Sequence, residues 1–584
     1  MGLAPRAAVV SAVPLTRARN VEHIAPAGVL LLASASALEV ALPRVGAAGL
    51  QLSSLELVAA CVLATGLGAL AARDGLGVEP GPLAAPVLAG LVIAVAAALL
   101  APADVANALR YCGRLAAAAL IAWLTLRSIA SRRLARALVA VLLATGAAAG
   151  AVAVAELAEV PAVMRALTLV RPGFHVVGGQ VRATSTFLYP TVASMYLEVV
   201  FALGLWWVVD PPDRSRPGIV RLAPMVALGL VAAGIVATFT RAGLIAMTVS
   251  LALVAALARH RRLGAPVLGR LAALAGVVVA LMAGSRSPDV WLSRVSTDTA
   301  QDWYGARYSV PARLTLAAGG VDHVPVTVTN TGRLAWQSER DPVFAMSYHW
   351  LEAGTDLVVE FEGARTPFLE PVAPGRRTTL PVAVAAPGRP GRYVLAWDLV
   401  HEGRAWLSTE GVPSPRTSVE ITGVAATTAP VATHGRLPGA SHRLPRLTLW
   451  EAALRIARDH PLTGIGPDNF RQSYGAYLGF AAWDRRVHAN NMYLEALTGA
   501  GAFGLAAVVW LVWAGLSHVW RAWRRAPADA LAAPMLAAGV VIAGHGLVDS
   551  FLGFTPTYVV FAIAAGLACS PALDAPRLPH AHRV

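Results

Sequence analysis

No charged side chain interrupts the 19-residue stretch Ala137-Leu-Val-Ala-Val-Leu-Leu-Ala-Thr-Gly-Ala-Ala-Ala-Gly-Ala-Val-Ala-Val-Ala155. A helix of about 20 such residues crosses the ~30 Å hydrocarbon core of a bilayer. Similar runs recur along most of the 584-residue chain, which is 56% hydrophobic and 14% charged. Soluble domains contain about 25% charged residues. We therefore predict a polytopic α-helical membrane protein, and the composition excludes a soluble globular enzyme.

Apolar runs of this length predict about twelve transmembrane helices. They lie near residues 25–44, 51–72, 83–101, 111–127, 134–157, 189–208, 221–239, 243–258, 266–283, 498–518, 530–549 and 552–569.

Arginine clusters in alternate short loops between these runs, and the chain contains no Lys. Because basic loops are retained in the cytoplasm, we predict that both termini are cytoplasmic and that segments 158–188 and 284–497 are extracytoplasmic. We attribute the net charge of +14 to this topology and predict no nucleic-acid partner. The prediction rests on Arg6, Arg17, Arg19, Arg127, Arg132, Arg133, Arg136, Arg214, Arg216, Arg259, Arg261, Arg262, Arg521, Arg524 and Arg525.

The composition changes between residues 310 and 422, where 12 acidic residues accompany 10 Arg. Alternating runs such as Val324–Thr329, Leu357–Phe361 and Tyr393–Trp397, separated by Gly, Pro and Asn turns, predict about seven short strands in a β-sandwich. The pattern resembles bacterial immunoglobulin-like modules that lack the disulfide. A spacer without chemistry of its own is the favoured role, and glycan binding by exposed tryptophans is the alternative. Trp336, Trp350, Trp397 and Trp406 supply large apolar surfaces in this segment.

The sequence thus divides into four predicted segments, and the third of them contains two short motifs. The segments are an N-terminal membrane domain (1–285), the β-sandwich (310–422), a linker and external motif loop (423–497, with an Ala/Thr/Pro-rich start at 423–440), and C-terminal membrane helices (498–570). The motifs are Gly464-Ile-Gly-Pro-Asp-Asn-Phe470 and His488-Ala-Asn-Asn-Met-Tyr-Leu494, and a surface helix at 446–455 precedes them.

These motifs resemble those of the O-antigen ligase and O-antigen polymerase superfamily of membrane glycosyltransferases. Two upstream segments, Arg182-Ala-Thr-Ser-Thr-Phe-Leu-Tyr-Pro190 and Thr240-Arg-Ala-Gly243, are similar to two further motifs of that superfamily. The chain departs from the pattern at Ser185, where Gly is common, at Asn490, where a second His is common, and in the inserted sandwich.

The resemblance implies a GT-C-type fold in the bacterial cytoplasmic membrane and a role in cell-surface polysaccharide synthesis, such as that of lipopolysaccharide. It implies transfer of a glycan from undecaprenyl pyrophosphate to the hydroxyl of a glycolipid, growing glycan or protein on the outer face. It also implies no cofactor and no essential metal. The sequence offers no Asp-x-Asp motif, and Cys61, Cys112 and Cys569 lack metal-ligand spacing.

Such a reaction needs positive charge for the departing pyrophosphate, which arginine supplies with paired hydrogen bonds. Arg182 and Arg241 are the main candidates because both lie on the predicted outer side, against the general arginine bias. Arg171 and Arg446 are weaker candidates. Snorkelling to lipid headgroups or pairing with an acid would also explain these residues.

The reaction also needs a group that takes the proton of the acceptor hydroxyl, and His488 is the candidate for this catalytic role. Asp468, Asn469, Asn490 and Asn491 are possible substrate-binding residues, although turn formation or helix capping would explain them equally well. Glu198, within an apolar run, is predicted to be paired inside the bundle or to belong to the site, and His545 and Asp549 are low-ranked candidates.

Several functions remain open on the sequence alone. The main alternatives to a ligase are an O-antigen or exopolysaccharide polymerase and a protein O-oligosaccharyltransferase. A transporter of lipid-linked glycans is less favoured because no internal repeat is evident. A non-catalytic receptor that binds envelope glycans through the sandwich is a further alternative.

Overall fold

A computed structural model describes most of the chain. The described residues are 15–40, 53–74, 81–171, 173–212, 215, 217–261, 264–297, 303–339, 343–423, 434–436, 444–480, 483–525 and 530–574. They form two compact units, one of which is mostly helical (1–175, 182–285 and 446–584) and the other mostly β (176–181 and 286–445). Most of the predicted linker 423–440 lies outside the described residues, as do Arg6, Arg214, Arg216 and Arg262.

The helical unit contains, within its described residues, eight helices that are long and apolar enough to cross a membrane. Four shorter apolar helices, Glu22–Ala35, Ala84–Leu99, Ala532–His545 and Thr555–Ala568, occupy the other predicted positions. The membrane-protein prediction therefore has direct support, whereas the count of twelve spans stays a prediction.

The helices, in chain order, are α1 (Leu15–Ala35), α2 (Ser54–Asp74), α3 (Ala84–Leu99), α4 (Val105–Ser128), α5 (Arg132–Leu157), α6 (Pro161–Thr168), α7 (Pro190–Gly204), α8 (Trp206–Val209), α9 (Gly218–Ala237), α10 (Arg241–His260), α11 (Ala265–Ser285), α12 (Pro288–Ser296), α13 (Arg446–Asp459), α14 (Phe470–Tyr477), α15 (Met492–Arg525), α16 (Ala532–His545), α17 (Thr555–Ala568) and α18 (Pro571–Asp574). The first helix ends at Ala35 rather than at the predicted residue 44, and residues 36 and 37 form a turn.

Helices α5 and α9 pack closely because glycines remove side chains from their interface. A Cβ on Gly150 would lie 2.2 Å from the Leu230 carbonyl oxygen, and one on Gly234 would lie 2.7 Å from the Gly150 Cα. Small residues allow such close approach between helices in a bilayer, where the hydrophobic effect does not drive helices together. The apolar stretch 137–155 therefore also carries the packing surface of α5.

The helical unit has two distinct ends. At one end, Arg136 forms an ion pair with Asp210 and lies over the Trp206 ring. At the same end, Arg261 Nη2 donates to the Trp523 carbonyl at 2.6 Å. At the opposite end, the loops that carry the sequence motifs meet, as described below. The structure thus separates the arginine-rich loops from the motif loops, as the topology predicts, while the assignment of either end to the cytoplasm stays a prediction.

The β-rich unit contains two sheets that share one hydrophobic core. The strands of the chain are β1 (His175–Val177), β2 (Gln180–Arg182), β3 (Ala306–Ser309), β4 (Arg313–Ala317), β5 (Val321–Asn330), β6 (Phe344–Glu352), β7 (Leu357–Glu360), β8 (Thr366–Pro367), β9 (Arg377–Ala385), β10 (Gly391–His401), β11 (Ala405–Trp406), β12 (Arg416–Thr422) and β13 (His434–Arg436). Of the two sheets that share the core, one has the order β13-β7-β6-β10-β12-β4, with β8 on β6 and β11 on β10, and the other has the order β3-β5-β9. Strands β1 and β2 pair in a separate two-stranded sheet.

The described part of this unit has more strands than the seven predicted, because short strands such as β8 and β11 carry no sequence signal of their own. Trp336, Trp350 and Trp397 are buried in the common core, with exposed fractions of 1%, 0% and 0%. These three tryptophans are therefore used for packing and are not among the exposed tryptophans that could bind glycan. The immunoglobulin-like assignment stays a prediction.

Candidate active site

Arg182 and the start of α10 meet at one turn. The Arg182 side chain donates from Nε to the Thr238 carbonyl (3.4 Å) and from Nη2 to Thr240 Oγ1 (3.2 Å). Thr240 immediately precedes Arg241, which begins α10. The amino terminus of a helix carries a partial positive charge, so this turn combines two arginines with a helix end that attracts anions.

The backbone that carries Arg182 is fixed by a buried carboxylate. Glu156 Oε2 accepts hydrogen bonds from the backbone N–H groups of Thr184 (3.0 Å) and Ser185 (2.8 Å). Glu156 Oε1 lies 2.6 Å from Arg171 Nη2, and both side chains are almost fully buried. Ser185 has a φ of 54°, a conformation that glycine adopts readily, which explains why Gly is common there in the superfamily that the motif resembles.

Arg171 is thus paired with an internal acid that orders the Arg182 loop. Any contact of Arg171 with substrate stays a prediction.

His488 lies in the loop before α15, and its side chain is 22% exposed. Its Nδ1 is 3.8 Å from Asp468 Oδ1 and 3.7 Å from Glu495 Oε1. Burial lowers the pKa of His488, but the adjacent Glu495 and Asp468 carboxylates favour the charged ring more strongly, so the net pKa is raised. A histidine with two carboxylates at one ring nitrogen is suited to accept a proton at the other.

Asp468 is fixed by two side chains that the sequence does not single out. Arg471 approaches Asp468 Oδ2 with Nε (2.9 Å) and Nη2 (2.8 Å), and Asn107 Nδ2 lies 3.3 Å from the same oxygen. The Arg471 Nη2 also donates to Asn107 Oδ1 at 2.6 Å. Helix α4 thereby holds the turn that faces His488.

The Gly464–Phe470 turn packs against a break in α15. Ala500 and Gly501 have non-helical backbone angles, and the N–H groups of Ile465 and Gly466 donate to the carbonyls of Thr498 (2.8 Å) and Gly499 (3.0 Å). Gly464 has a φ of 65°, and a Cβ added there would lie 2.4 Å from the Thr498 carbonyl oxygen. The glycine of this motif is therefore required by backbone conformation and by close approach.

Gly464→Ala is expected to destabilise the protein by more than the ~1–3 kcal/mol of a left-handed non-glycine residue, because it adds a clash with the Thr498 carbonyl. The thermal unfolding temperature of the purified protein in detergent measures this effect. Gly276→Ala in α11, which meets no atom within 4 Å, is the matched control and should leave the unfolding temperature unchanged or slightly higher. Equal unfolding temperatures for both variants would contradict the proposed role of Gly464.

A phenylalanine ring connects the two motif regions. The Phe554 ring centroid is 6.0 Å from that of His488 and 5.7 Å from that of Tyr189. Tyr189 belongs to the segment that starts at Arg182, and it directly precedes α7. The upstream and downstream motifs, far apart in the sequence, therefore converge at one end of the helical unit.

Glu198 is paired inside the bundle, which confirms the first of its two predicted roles. Its carboxylate lies 2.7 and 2.9 Å from His545 Nδ1, and both side chains are buried. The turn after His545 holds the start of α15, because the Gly546 and Asp549 carbonyls accept from the Met492 N–H at 2.7 and 3.1 Å. The turn after His545 therefore holds the end of the loop that carries His488.

The asparagines of the motifs have mostly structural contacts. Asn491 Oδ1 accepts from the N–H groups of Tyr493 and Leu494 at 3.0 Å each, which confirms it as the cap of α15. Asn490 adopts a φ of 49°, and Asn469 Nδ2 donates to the carbonyls of Ala103 (3.0 Å) and Ile465 (2.9 Å). Arg446 begins α13. Substrate contacts of these residues stay predictions.

Three residues near His488 were missed by the sequence reasoning, namely Asn107, Arg471 and Glu495. Glu495 lies seven residues after His488 and directly follows the His488–Leu494 motif, so an acidic residue this close to a candidate base is a signal that the sequence offers. Asn107 arrives from α4 and has no such signal.

Comparison with known families adds independent evidence on this region. Residues 433–509 match the model of a family described as O-antigen ligase. That region includes His488, Asp468, Arg471 and Glu495. No curated protein matches the chain. The match, together with the apolar helices, supports a membrane protein with an O-antigen ligase-type function in glycan assembly.

Proposed function

We propose that this protein transfers a glycan from an undecaprenyl-pyrophosphate carrier to an acceptor hydroxyl at the outer face of the bacterial cytoplasmic membrane. Membrane lipids surround its helices, and the acceptor is a glycolipid, a growing glycan or a protein. The observation that carries the proposal is the position of Phe554, whose ring contacts both His488, which carboxylates flank, and Tyr189 of the segment that begins at Arg182. The family match over 433–509 supports the same class of function.

Arg182 and Arg241 are proposed to bind the pyrophosphate. Guanidinium groups remain charged at any relevant pH and form paired hydrogen bonds with phosphate oxygens. As the bond between the sugar carbon and the pyrophosphate oxygen breaks, its electron pair stays on the pyrophosphate. The arginines and the amino terminus of α10 stabilise that developing charge.

His488 is proposed as the general base. The acceptor oxygen forms the new bond to the sugar carbon, and its proton passes to His488 Nε2. The Asp468 and Glu495 carboxylates, both within 4 Å of Nδ1, stabilise the imidazolium that results. The products are a glycosylated acceptor and undecaprenyl pyrophosphate, so atoms and charge balance without a nucleotide sugar.

The proposal is tested with purified protein in detergent that contains a chelator, supplied with a labelled glycan on undecaprenyl pyrophosphate and candidate acceptors. A labelled acceptor is the expected product, and its formation should be unaffected by the chelator. The same donor in protein-containing vesicles tests the alternative of transport. Movement of intact donor across the vesicle membrane without any transfer product would replace the transferase by a transporter.

A further inference from the structure

Two carboxylates face the same nitrogen of His488, and their surroundings differ. Asp468 is compensated, because Arg471 contacts its Oδ2 with two nitrogens at 2.8 and 2.9 Å. Glu495 instead accepts from a neutral donor, the Ala489 N–H, at 2.6 Å. Among the described residues, no arginine forms an ion pair with Glu495, so its negative charge acts on the His488 ring without a compensating cation.

The position of Glu495 is also fixed more closely than that of a surface acid. It lies in the first turn of α15, where a negative charge is favourable, and its side chain is 11% exposed. Its bond to Ala489 N–H connects it to the residue directly after His488, and Trp450 Nε1 donates to the Ala489 carbonyl at 3.1 Å. Both peptide groups of Ala489 are thus anchored, which limits movement of His488 relative to Glu495.

We propose that Glu495 is the positioning residue for His488: its carboxylate holds the Nδ1–H of the imidazole, so that Nε2 faces the acceptor hydroxyl as the base. The proposal rests on the proposed transferase function and adds a residue to it. The distance of 3.7 Å exceeds that of a hydrogen bond, as is common for catalytic contacts in structures without bound substrate. The charged groups that face His488 are Glu495 from α15 together with Asp468 and Arg471 from the turn and α14, while Phe554 contributes only an aromatic edge.

Glu495→Gln is the test variant because glutamine keeps an oxygen for the Ala489 N–H while it removes the charge. We expect kcat to fall by about 10²-fold with KM nearly unchanged, since the base is misaligned rather than the substrate site lost. The acidic limb of the pH–rate profile should move to lower pH, because a protonated His488 loses its stabilising neighbour. Glu451→Gln, which alters an exposed acid of α13 paired with Arg455, is the matched control and should behave as wild type.

A second measurement keeps the inference independent of catalysis. The pH dependence of diethyl pyrocarbonate modification at His488, followed by mass spectrometry of its peptide, should shift to lower pH in Glu495→Gln and not in Glu451→Gln. An unshifted modification profile, or a pH–rate profile that falls equally at every pH, would overturn the role of Glu495. Absence of any transfer by the wild type, with the shift still present, would instead remove the proposed function and leave the electrostatic link intact.

Discussion

His488→Ala is expected to lower the rate of glycan transfer by about 10²- to 10⁴-fold, the usual contribution of a general base. The proton of the acceptor hydroxyl then has no positioned acceptor, while the donor still binds. Initial rates of transfer from labelled undecaprenyl-pyrophosphate-linked glycan measure the effect. Donor binding, measured separately by retention of the labelled lipid, should remain near the wild-type value.

A matched control separates chemistry from folding. His323→Ala changes an exposed histidine on β5 of the β-rich unit and should leave both transfer and the unfolding temperature unchanged. Transfer by His488→Ala at more than a tenth of the wild-type rate would show that the base lies elsewhere.

Arg241→Ala is expected to reduce transfer by about 10²- to 10³-fold, comparable to the loss of one donor that stabilises charge developed in a transition state. Arg241 is the first residue of α10 and directly follows Thr240, whose hydroxyl accepts a hydrogen bond from Arg182. Arg241→Lys keeps the positive charge and loses the paired hydrogen bonds, so an intermediate rate is expected. The rate of undecaprenyl pyrophosphate release, with donor saturating, is the measurement.

The control for Arg241 comes from the opposite end of the helical unit. Arg521, an exposed residue near the end of α15, donates to the Ser517 carbonyl of its own helix at 3.1 Å. Arg521→Ala should leave release unchanged. Equal losses in Arg521→Ala and Arg241→Ala would attribute the effect to general destabilisation and not to pyrophosphate binding.

Much of the helical architecture is predictable because lipid imposes a simple rule on sequence. A span such as 137–155 must be apolar along its whole length, so its position can be recognised without knowledge of its neighbours. The break in α15 cannot be recognised in this way. Ala500 and Gly501 depart from helical angles where the Gly464 turn forms hydrogen bonds with the carbonyls of Thr498 and Gly499. Such long-range contacts have no local periodicity.

The candidate site shows the same division. The sequence predicts His488, Arg182 and Arg241 as site residues because each can be recognised by itself, from its motif and from the predicted side of the membrane. Asn107 of α4 contacts Asp468, which lies beside His488 and 361 residues later in the chain. A single sequence carries no signal for a contact between residues so far apart. Likewise, burial of Trp350 and Trp397 depends on how two sheets pack, so strand pattern alone left their exposure open.

The stoichiometry of a single reaction tests the central proposal most directly. Purified wild-type protein, with labelled donor and an acceptor, should release one undecaprenyl pyrophosphate for each glycan that appears on the acceptor, and His488→Ala should form both products about 10²- to 10⁴-fold more slowly. Release of undecaprenyl pyrophosphate without glycosylated acceptor, or consumption of donor with neither product, would contradict a glycan transferase that uses His488 as its base.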